Sequence, residues 1–324
     1  MPRAILLREH GGPEVLRAED IAEAKPGPGE LRVRQTAIGV NFHDCYVRSG
    51  SYKTLKLPGV PGIEGAGMVE EVGAGVTEFS PGDRVGYVSA GYGAYASERL
   101  LPAALALKLP AGMDEVTAAA VLLKGLTVSM LVNHVHAVKP GDRVLVQAAA
   151  GGVGQLLTQW ARHLGATVIG TVGSREKAAM AMAYGCHHTI LYRSEDFVAR
   201  VKEVTSGKGV HVAYDSVGKD TLMGSLACLA VRGHLVNFGQ SSGPVAPFGV
   251  AALSTGSNSL TRPMLFHYMR DRAELEALAK PLFDVLASGA VKVAPPRKFA
   301  LADAGKAHAA LEARQTTGSV VLVP

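Results

Sequence analysis

Residues 146–162 read V-Q-A-A-A-G-G-V-G-Q-L-L-T-Q-W-A-R, a run of small residues between an apolar stretch and a helix-patterned one. The spacing Ala149-x-Gly151-x-x-Gly154 matches a dinucleotide fingerprint with alanine at its first glycine. Such a cluster can let a strand and a helix pack closely. It can also leave backbone N–H groups at a helix N-terminus open to a phosphate, whose charge the helix dipole favours. The context favours the phosphate. Val144-Leu145-Val146 precedes the run as a buried strand. Val153, Leu156, Leu157, Trp160 and Leu164 then share one face of a helix over 152–164, which Gly165 stops.

The choice of dinucleotide is set further on. An NAD-specific site places Asp or Glu about 20 residues downstream, at the end of the second strand, to hold the ribose hydroxyls. Residues 168–177 read V-I-G-T-V-G-S-R-E-K, with no carboxylate at the strand end. Ser174, Arg175 and Lys177 supply a hydroxyl and two cations instead. These suit a 2′-phosphate, although an exposed helix surface would use the same cations. The missing acid favours NADP(H).

The elements that position these residues repeat. Apolar runs at Val144–Val146, Val168–Ile169, Ile190–Leu191, Val210–Tyr214 and Leu235–Val236 alternate with helical segments. Residues 175–184 form a second helix ending at Gly185. Ser194 caps a third running to about Val204, and Asp220 a fourth ending near Gly233. Strand alternating with helix predicts a doubly wound parallel sheet. Before about residue 124 the pattern is different: short valine-rich runs are broken by turn clusters such as K-P-G-P-G-E and S-P-G-D, predicting a mostly antiparallel, barrel-like β domain. P-G-D-R-V occurs at 81–85 and again at 140–144 and reads as a turn feeding a strand. After residue 263 two helical stretches (272–288 and 301–314) and a final S-V-V-L-V strand do not continue the doubly wound pattern. The expected division is 1–124 completed by 263–324 for one domain, and 125–262 for the nucleotide domain. The cleft between them is the default ligand site.

A chain of 324 residues is long enough for two cores. At 48% hydrophobic and 19% charged it reads as a folded enzyme-like chain. The net charge of +5 invites a nucleic-acid partner, but Lys and Arg are spread singly with no basic–aromatic stripe, which argues against one. Ala4–Leu7 is too short for a signal-peptide core. No uninterrupted apolar stretch approaches ~20 residues, so no membrane partner is expected. Cys45, Cys186 and Cys228 are far apart and odd in number, a usage that suits a reducing cytoplasm.

The stretch G-D-R-V-L-V-Q-A-A-A-G-G-V-G-Q-L-L-T-Q-W-A-R at 141–162 resembles the signature of the quinone oxidoreductase (zeta-crystallin-like) branch of the zinc-independent medium-chain dehydrogenase/reductase superfamily. H-G-G-P-E-V-L at 10–16, A-I-G-V-N-F-H-D at 37–44, L-K-G-L-T at 123–127, Y-D-S-V-G at 214–218, F-G-Q-S-S-G at 238–243 and T-R-P at 261–263 extend the resemblance over the chain. It implies an α/β protein, with a GroES-like, mostly antiparallel β catalytic domain and a Rossmann domain binding NADPH. It also implies a homodimer. In the superfamily's zinc enzymes a histidine ligand stands where this chain has Ile63, and a cysteine ligand where it has Asn41. No cysteine-rich lobe is present either, so no catalytic zinc is expected. Glu64 reads as structural, a carboxylate accepting backbone N–H groups.

Position by position, the resemblance implies that Asn41, Phe42, Asp44, Tyr46, Lys124 and Thr127 lie near the nicotinamide and its ribose. Ala150, Gly151, Gly152 and Val153 would hold the pyrophosphate. Gly173, Ser174, Lys177 and Tyr192 would surround the 2′-phosphate. Ser216, Val217, Phe238, Gly239, Ser241, Pro263, Met264 and Leu265 would line the nicotinamide side, and Arg314 would add a late contact. Phe238 and Val217 fit a core role equally well, whereas Lys124 amid apolar neighbours needs a polar partner. His43 takes a position usually apolar in this branch. Together with Cys45 it has the look of a catalytic pair, but no third orienting group is evident.

Without a Lewis acid the favoured acceptors are already electron-poor, such as a quinone or an alkene conjugated to a carbonyl. Asn41, Tyr46 and Tyr52 are then the catalytic candidates lining the acceptor pocket. An NADPH-dependent reductase of enones or 2-alkenals is the alternative. A non-catalytic NADPH-binding structural or RNA-binding protein is a third reading.

Overall fold

The two P-G-D-R-V segments form the same local structure in different places. In each, the aspartate carboxylate accepts a backbone N–H three residues back: Ser80 N to Asp83 Oδ2 at 3.0 Å, and Lys139 N to Asp142 Oδ2 at 2.9 Å. Gly82 and Gly141 take φ of 94° and 86°, a left-handed turn that a side chain would strain. The arginine of each copy opens a strand, Arg84–Val88 or Arg143–Val146.

A computed structural model describes residues 1–324, which divide into two units. The first comprises Met1–Leu123, Asp271–Leu275 and Val293–Pro324. Its main sheet runs in the order Arg297–Ala300, Val320–Val323, Glu30–Val40, Glu64–Val72, Arg84–Val88, Ala106–Lys108, with Glu98–Pro102 also paired to Glu30–Val40. Every pairing is antiparallel except that of Arg297–Ala300 with Val320–Val323. The alternation in Glu30–Val40 buries Leu31, Val33 and Gln35 on one face. Gln35 is satisfied there by the carbonyls of Ala94 and Ala96 and by the Tyr87 hydroxyl.

The second unit comprises Lys124–Arg270 and Glu276–Lys292. Its six strands are all parallel, in the order His188–Leu191, Thr167–Val172, Arg143–Val146, Val210–Asp215, Leu229–Asn237, Ser259–Thr261. Strand order reverses beside Arg143–Val146, the position at which doubly wound sheets bind ligands. Leu145, Ile169, Ile190, Ala213 and Leu235 form its core.

Three expectations change. Asp196, not Ser194, caps the third helix, accepting from Val198 N and Ala199 N, and the helix runs Phe197–Val204. Ser194 instead turns its hydroxyl back to the Leu191 carbonyl. The fourth helix is short, Leu222–Ala227, and starts after Thr221 rather than Asp220. Both Thr221 and Ser225 donate to the Asp215 carboxylate, which clamps this helix to the sheet, and the following residues go into the strand Leu229–Asn237. Residues 263–270 and 276–292, expected with the first domain, cluster with the second unit. Gly125 leaves room for the Leu282 side chain, and Gln159 brackets Lys292, donating to its carbonyl at 3.0 Å and accepting from its N–H at 2.9 Å.

One helix, Glu115–Val135 including its final π-turn, is long and apolar enough to cross a membrane, with mean hydropathy 1.6. Its apolar window is 72% buried within the protein, the pattern of a core helix.

Candidate functional site

On the second unit, the helix Gly152–His163 begins at Gly151 with no side chain capping its first turn. Its neighbours are capped by Ser174 and Asp196. A bare N-terminus of three turns, with its amides and dipole directed outward, suits a pyrophosphate. Gly154 has a different task. A Cβ there would run into the Ala148 carbonyl and the Ala149 backbone, so this glycine permits strand–helix contact. At Gly151 an added Cβ would meet only the Ala148 carbonyl, at 3.1 Å. The cluster therefore carries both properties that its sequence left open, on different residues.

At the end of the strand Thr167–Val172, Ser174 Oγ accepts the Lys177 N–H at 3.2 Å and starts the helix Arg175–Ala183. Tyr192 stands over the same turn, 3.1 Å from where a Gly173 Cβ would lie. A hydroxyl, a half-buried lysine and a phenol thus share one corner, with Arg175 exposed beside them. This set fits the 2′-phosphate of an adenosine.

The loops expected to line the nicotinamide are held by Asp215, a residue to which the sequence assigned no role. Its buried carboxylate accepts Val217 N and Gly218 N, both at 2.9 Å, as well as the Thr221 and Ser225 hydroxyls. Ser225 also accepts from Gln147, which in turn accepts the Thr171 hydroxyl, linking three central strands at their carboxyl ends. The loop of Ser216 and Val217 interlocks with that of Phe238, Gly239 and Ser241: Phe238 N reaches Asp215 O, Ser241 N reaches Ser216 O, and Gly239 has no room for a Cβ. Phe238 and Val217 are half-buried. Arg262 of T-R-P donates to Asn237 and Gln240. Beyond it Pro263 is half-buried, Met264 is exposed and Leu265 joins the core. Lys124 is buried and Thr127 half-buried, three residues apart and on one face of the helix Glu115–Met130.

On the first unit, the helix Phe42–Ser49 places the remaining candidates. Asn41 and Asp44 form a capping box at its start, with Asn41 N–H bound to Asp44 Oδ2 at 2.8 Å. Asp44 is fully buried and also receives the Tyr95 hydroxyl, so its carboxylate is committed to the fold. Asn41 Nδ2 donates to Glu64 Oε2 at 2.9 Å, and Leu123 N–H donates to Glu64 Oε1 at 2.7 Å. Ile63 is buried beside them. Phe42, Tyr46 and Tyr52 form a chain of rings, with centroids 6.3 and 5.1 Å apart. Arg314 is exposed, in left-handed backbone after the helix Ala304–Glu312.

His43 and Cys45 are not a catalytic pair. Two residues apart on a helix they point to different sides. The His43 ring meets Tyr92, whereas Cys45 Sγ faces His308 Nδ1 at 3.6 Å in the core. Burial drives the Cys45 thiol far above its usual range and holds His308 down at about 3. No group of three or more His, Cys, Asp or Glu side chains comes together with metal-binding geometry. A surface depression of about 330 Å³ on the first unit, among Arg32, Tyr92, Glu98 and Arg99, coincides with none of the expected site residues.

Residues 27–111 match the alcohol dehydrogenase GroES-like domain, and residues 152–280 match the family model named zinc-binding dehydrogenase. The chain is 47% identical to a 2-haloacrylate reductase of a Burkholderia species, over 100% of this chain and 99% of that protein. It is 46% identical to quinone oxidoreductase 1 of Escherichia coli over the full length of both. Among solved structures, that of Escherichia coli quinone oxidoreductase complexed with NADPH superposes with a TM-score of 0.97, at 46% identity, covering 99% of this chain and 100% of that one. Full-length identity at this level and a matching two-part architecture agree: this chain belongs to the quinone oxidoreductase branch of the zinc-independent medium-chain dehydrogenase/reductase superfamily.

Proposed function

We propose that the protein is a zinc-independent NADPH:quinone reductase. The observation that carries the reading is the uncapped helix at Gly151 together with the corner formed by Ser174, Lys177 and Tyr192. When bound, NADPH supplies the reducing equivalents. Gly151, Gly152 and Val153 present backbone N–H groups to its pyrophosphate, and Ala150 shapes the approach. Lys177, with Ser174, Gly173 and Tyr192, binds the 2′-phosphate. Lys124 and Thr127 orient the nicotinamide ribose. The Ser216–Val217 and Phe238–Ser241 loops, fixed by Asp215, exclude water from the ring. Asn41, Tyr46 and Tyr52 line the acceptor side. Because Asn41 is tied to Glu64, its amide has a fixed orientation there.

A second reading, reduction of a carbon–carbon double bond conjugated to a carbonyl, is favoured by the identity to the Burkholderia 2-haloacrylate reductase. One assay separates the two. NADPH oxidation is followed with a naphthoquinone, a 2-haloacrylate and an enone, and NADP⁺ reduction with ethanol, each with and without chelator, alongside elemental analysis for zinc. Chelator-indifferent turnover of the quinone is expected. Turnover of the unsaturated acids or enones alone would transfer the assignment to the second reading, and chelator-sensitive ethanol oxidation would overturn both. A homodimer in a reducing compartment such as the cytoplasm completes the proposal, in keeping with three buried free cysteines.

A further inference from the structure

His43 belongs to a group that the reduction chemistry above leaves unused. Its ring stacks on Tyr92, with centroids 5.9 Å and planes 25° apart, and meets Tyr52 edge-on at 5.6 Å. Tyr52 continues to Tyr46, so His43 stands in the same aromatic wall as the acceptor-side tyrosines. A hydrogen-bond chain runs through this wall. The Tyr92 hydroxyl lies 3.1 Å from His43 Nε2 and also bonds the Thr54 hydroxyl. Tyr92 is 7% exposed and holds a left-handed φ of 55° between Gly91 and Gly93. A bulky aromatic keeps that conformation only where its surroundings over-determine it.

Hydroxyl groups donate and accept, so the chain can be polarised in one direction. Thr54 O–H donates to the Tyr92 oxygen, Tyr92 O–H donates to His43 Nε2, and the ring proton of neutral His43 then sits on Nδ1. We propose that His43 Nδ1–H is a hydrogen-bond donor to the carbonyl oxygen of a neutral, planar acceptor, and that Tyr92 is the positioning residue that fixes this tautomer. The inference rests on the quinone-reductase reading and narrows its substrate class.

Three observations support neutrality of the acceptor. The rings in contact with His43 are uncharged tyrosines on which a flat molecule can stack. Burial holds the His43 imidazole down at about 4, so it carries no positive charge to balance a carboxylate. Burial raises the Tyr92 phenol, with a smaller contribution in the same direction from the Asp44 carboxylate, so this ring too stays uncharged. Reduction of a para-quinone to the hydroquinone takes two electrons and two protons. NADPH provides two electrons and one proton, and water provides the other proton. His43 exchanges no net proton and only stabilises the oxygen on which charge collects.

Three variants test this. His43→Phe keeps a ring in the wall without nitrogens, Tyr92→Phe removes one hydroxyl, and His43→Gln restores a neutral donor. Binding of 1,4-naphthoquinone to the NADP⁺-saturated protein is measured by calorimetry, with KM and kcat for naphthoquinone and for ferricyanide, which has no carbonyl, and Kd for NADPH. His43→Phe should weaken naphthoquinone Kd and KM about tenfold, the loss of one hydrogen bond. Tyr92→Phe should weaken them less, and His43→Gln should recover part of the loss, while ferricyanide kinetics and NADPH Kd stay unchanged. Unchanged naphthoquinone Kd in His43→Phe overturns the inference, as does parallel weakening of naphthoquinone, ferricyanide and NADPH. If naphthoquinone binds in a His43-dependent way but is never reduced, the His43 contact stands and the quinone-reductase reading fails. No binding of naphthoquinone to the unsubstituted protein overturns both.

Discussion

The Asn41 side-chain amide donates to Glu64 Oε2 at 2.9 Å with both residues buried, so the orientation of each side chain is fixed by the other. The other carboxylate oxygen takes the Leu123 N–H at 2.7 Å. Glu64→Gln would set an amide NH₂ against one of these donors. A buried unsatisfied pair costs about 1–3 kcal/mol, so the urea midpoint should fall by that equivalent. A midpoint equal to the parent's would show that Glu64 is not held as a carboxylate.

In the proposed site Lys177 carries the cofactor preference. Lys177→Ala should weaken NADPH by about 1.5–3 kcal/mol, the worth of a charge-assisted contact, and leave NADH unaffected. Fluorescence titration with both cofactors measures this. Equal affinities before and after substitution would make Lys177 a surface residue.

The two outer glycines of the loop should fail differently. Gly154→Ala drives a methyl into the Ala148 carbonyl and should cost about 1–3 kcal/mol of stability. Gly151→Ala meets only one oxygen at 3.1 Å, so the protein should remain folded while NADPH binding is lost. Thermal melts paired with NADPH titration separate the two, and normal NADPH affinity in Gly151→Ala would return this loop to a packing role.

His308 should make the fold acid-sensitive. Its folded pKa is lowered to about 3 from 6.5, first by burial and then by Arg48, so at acid pH the unfolded chain binds a proton that the folded one refuses. Its contribution is complete above the unfolded value and declines as pH falls through it toward 3, with a slope approaching about 1.4 kcal/mol per pH unit. Urea midpoints between pH 7 and 4 should fall more steeply in the parent than in His308→Gln, and parallel curves would refute the assignment.

All three thiols should resist modification. Burial raises Cys186 to about 11, Cys228 to about 12 and Cys45 further. A thiol reagent at pH 8 should label none of them in the native protein and three after denaturation. Rapid native labelling of Cys45 would reopen a nucleophilic role.

The doubly wound sheet, its glycine loop and the turns of both P-G-D-R-V copies were legible in the sequence by itself. Strand periodicity, glycine spacing and Asp-turn chemistry act within a few residues, and each copy of a local signal builds the same structure. Helix starts were less legible, because Ser194 and Asp196 compete at two residues' separation and only backbone geometry selects between them. What the tertiary structure decided are the pairings between segments distant along the chain. Asp215 binding Thr221 and Ser225, Glu64 joining Asn41 to Leu123, and His43 meeting Tyr92 instead of Cys45 depend on how strands and loops are brought together. A buried polar side chain must find a partner, but its sequence neighbourhood states only the need, and the packed fold supplies the partner.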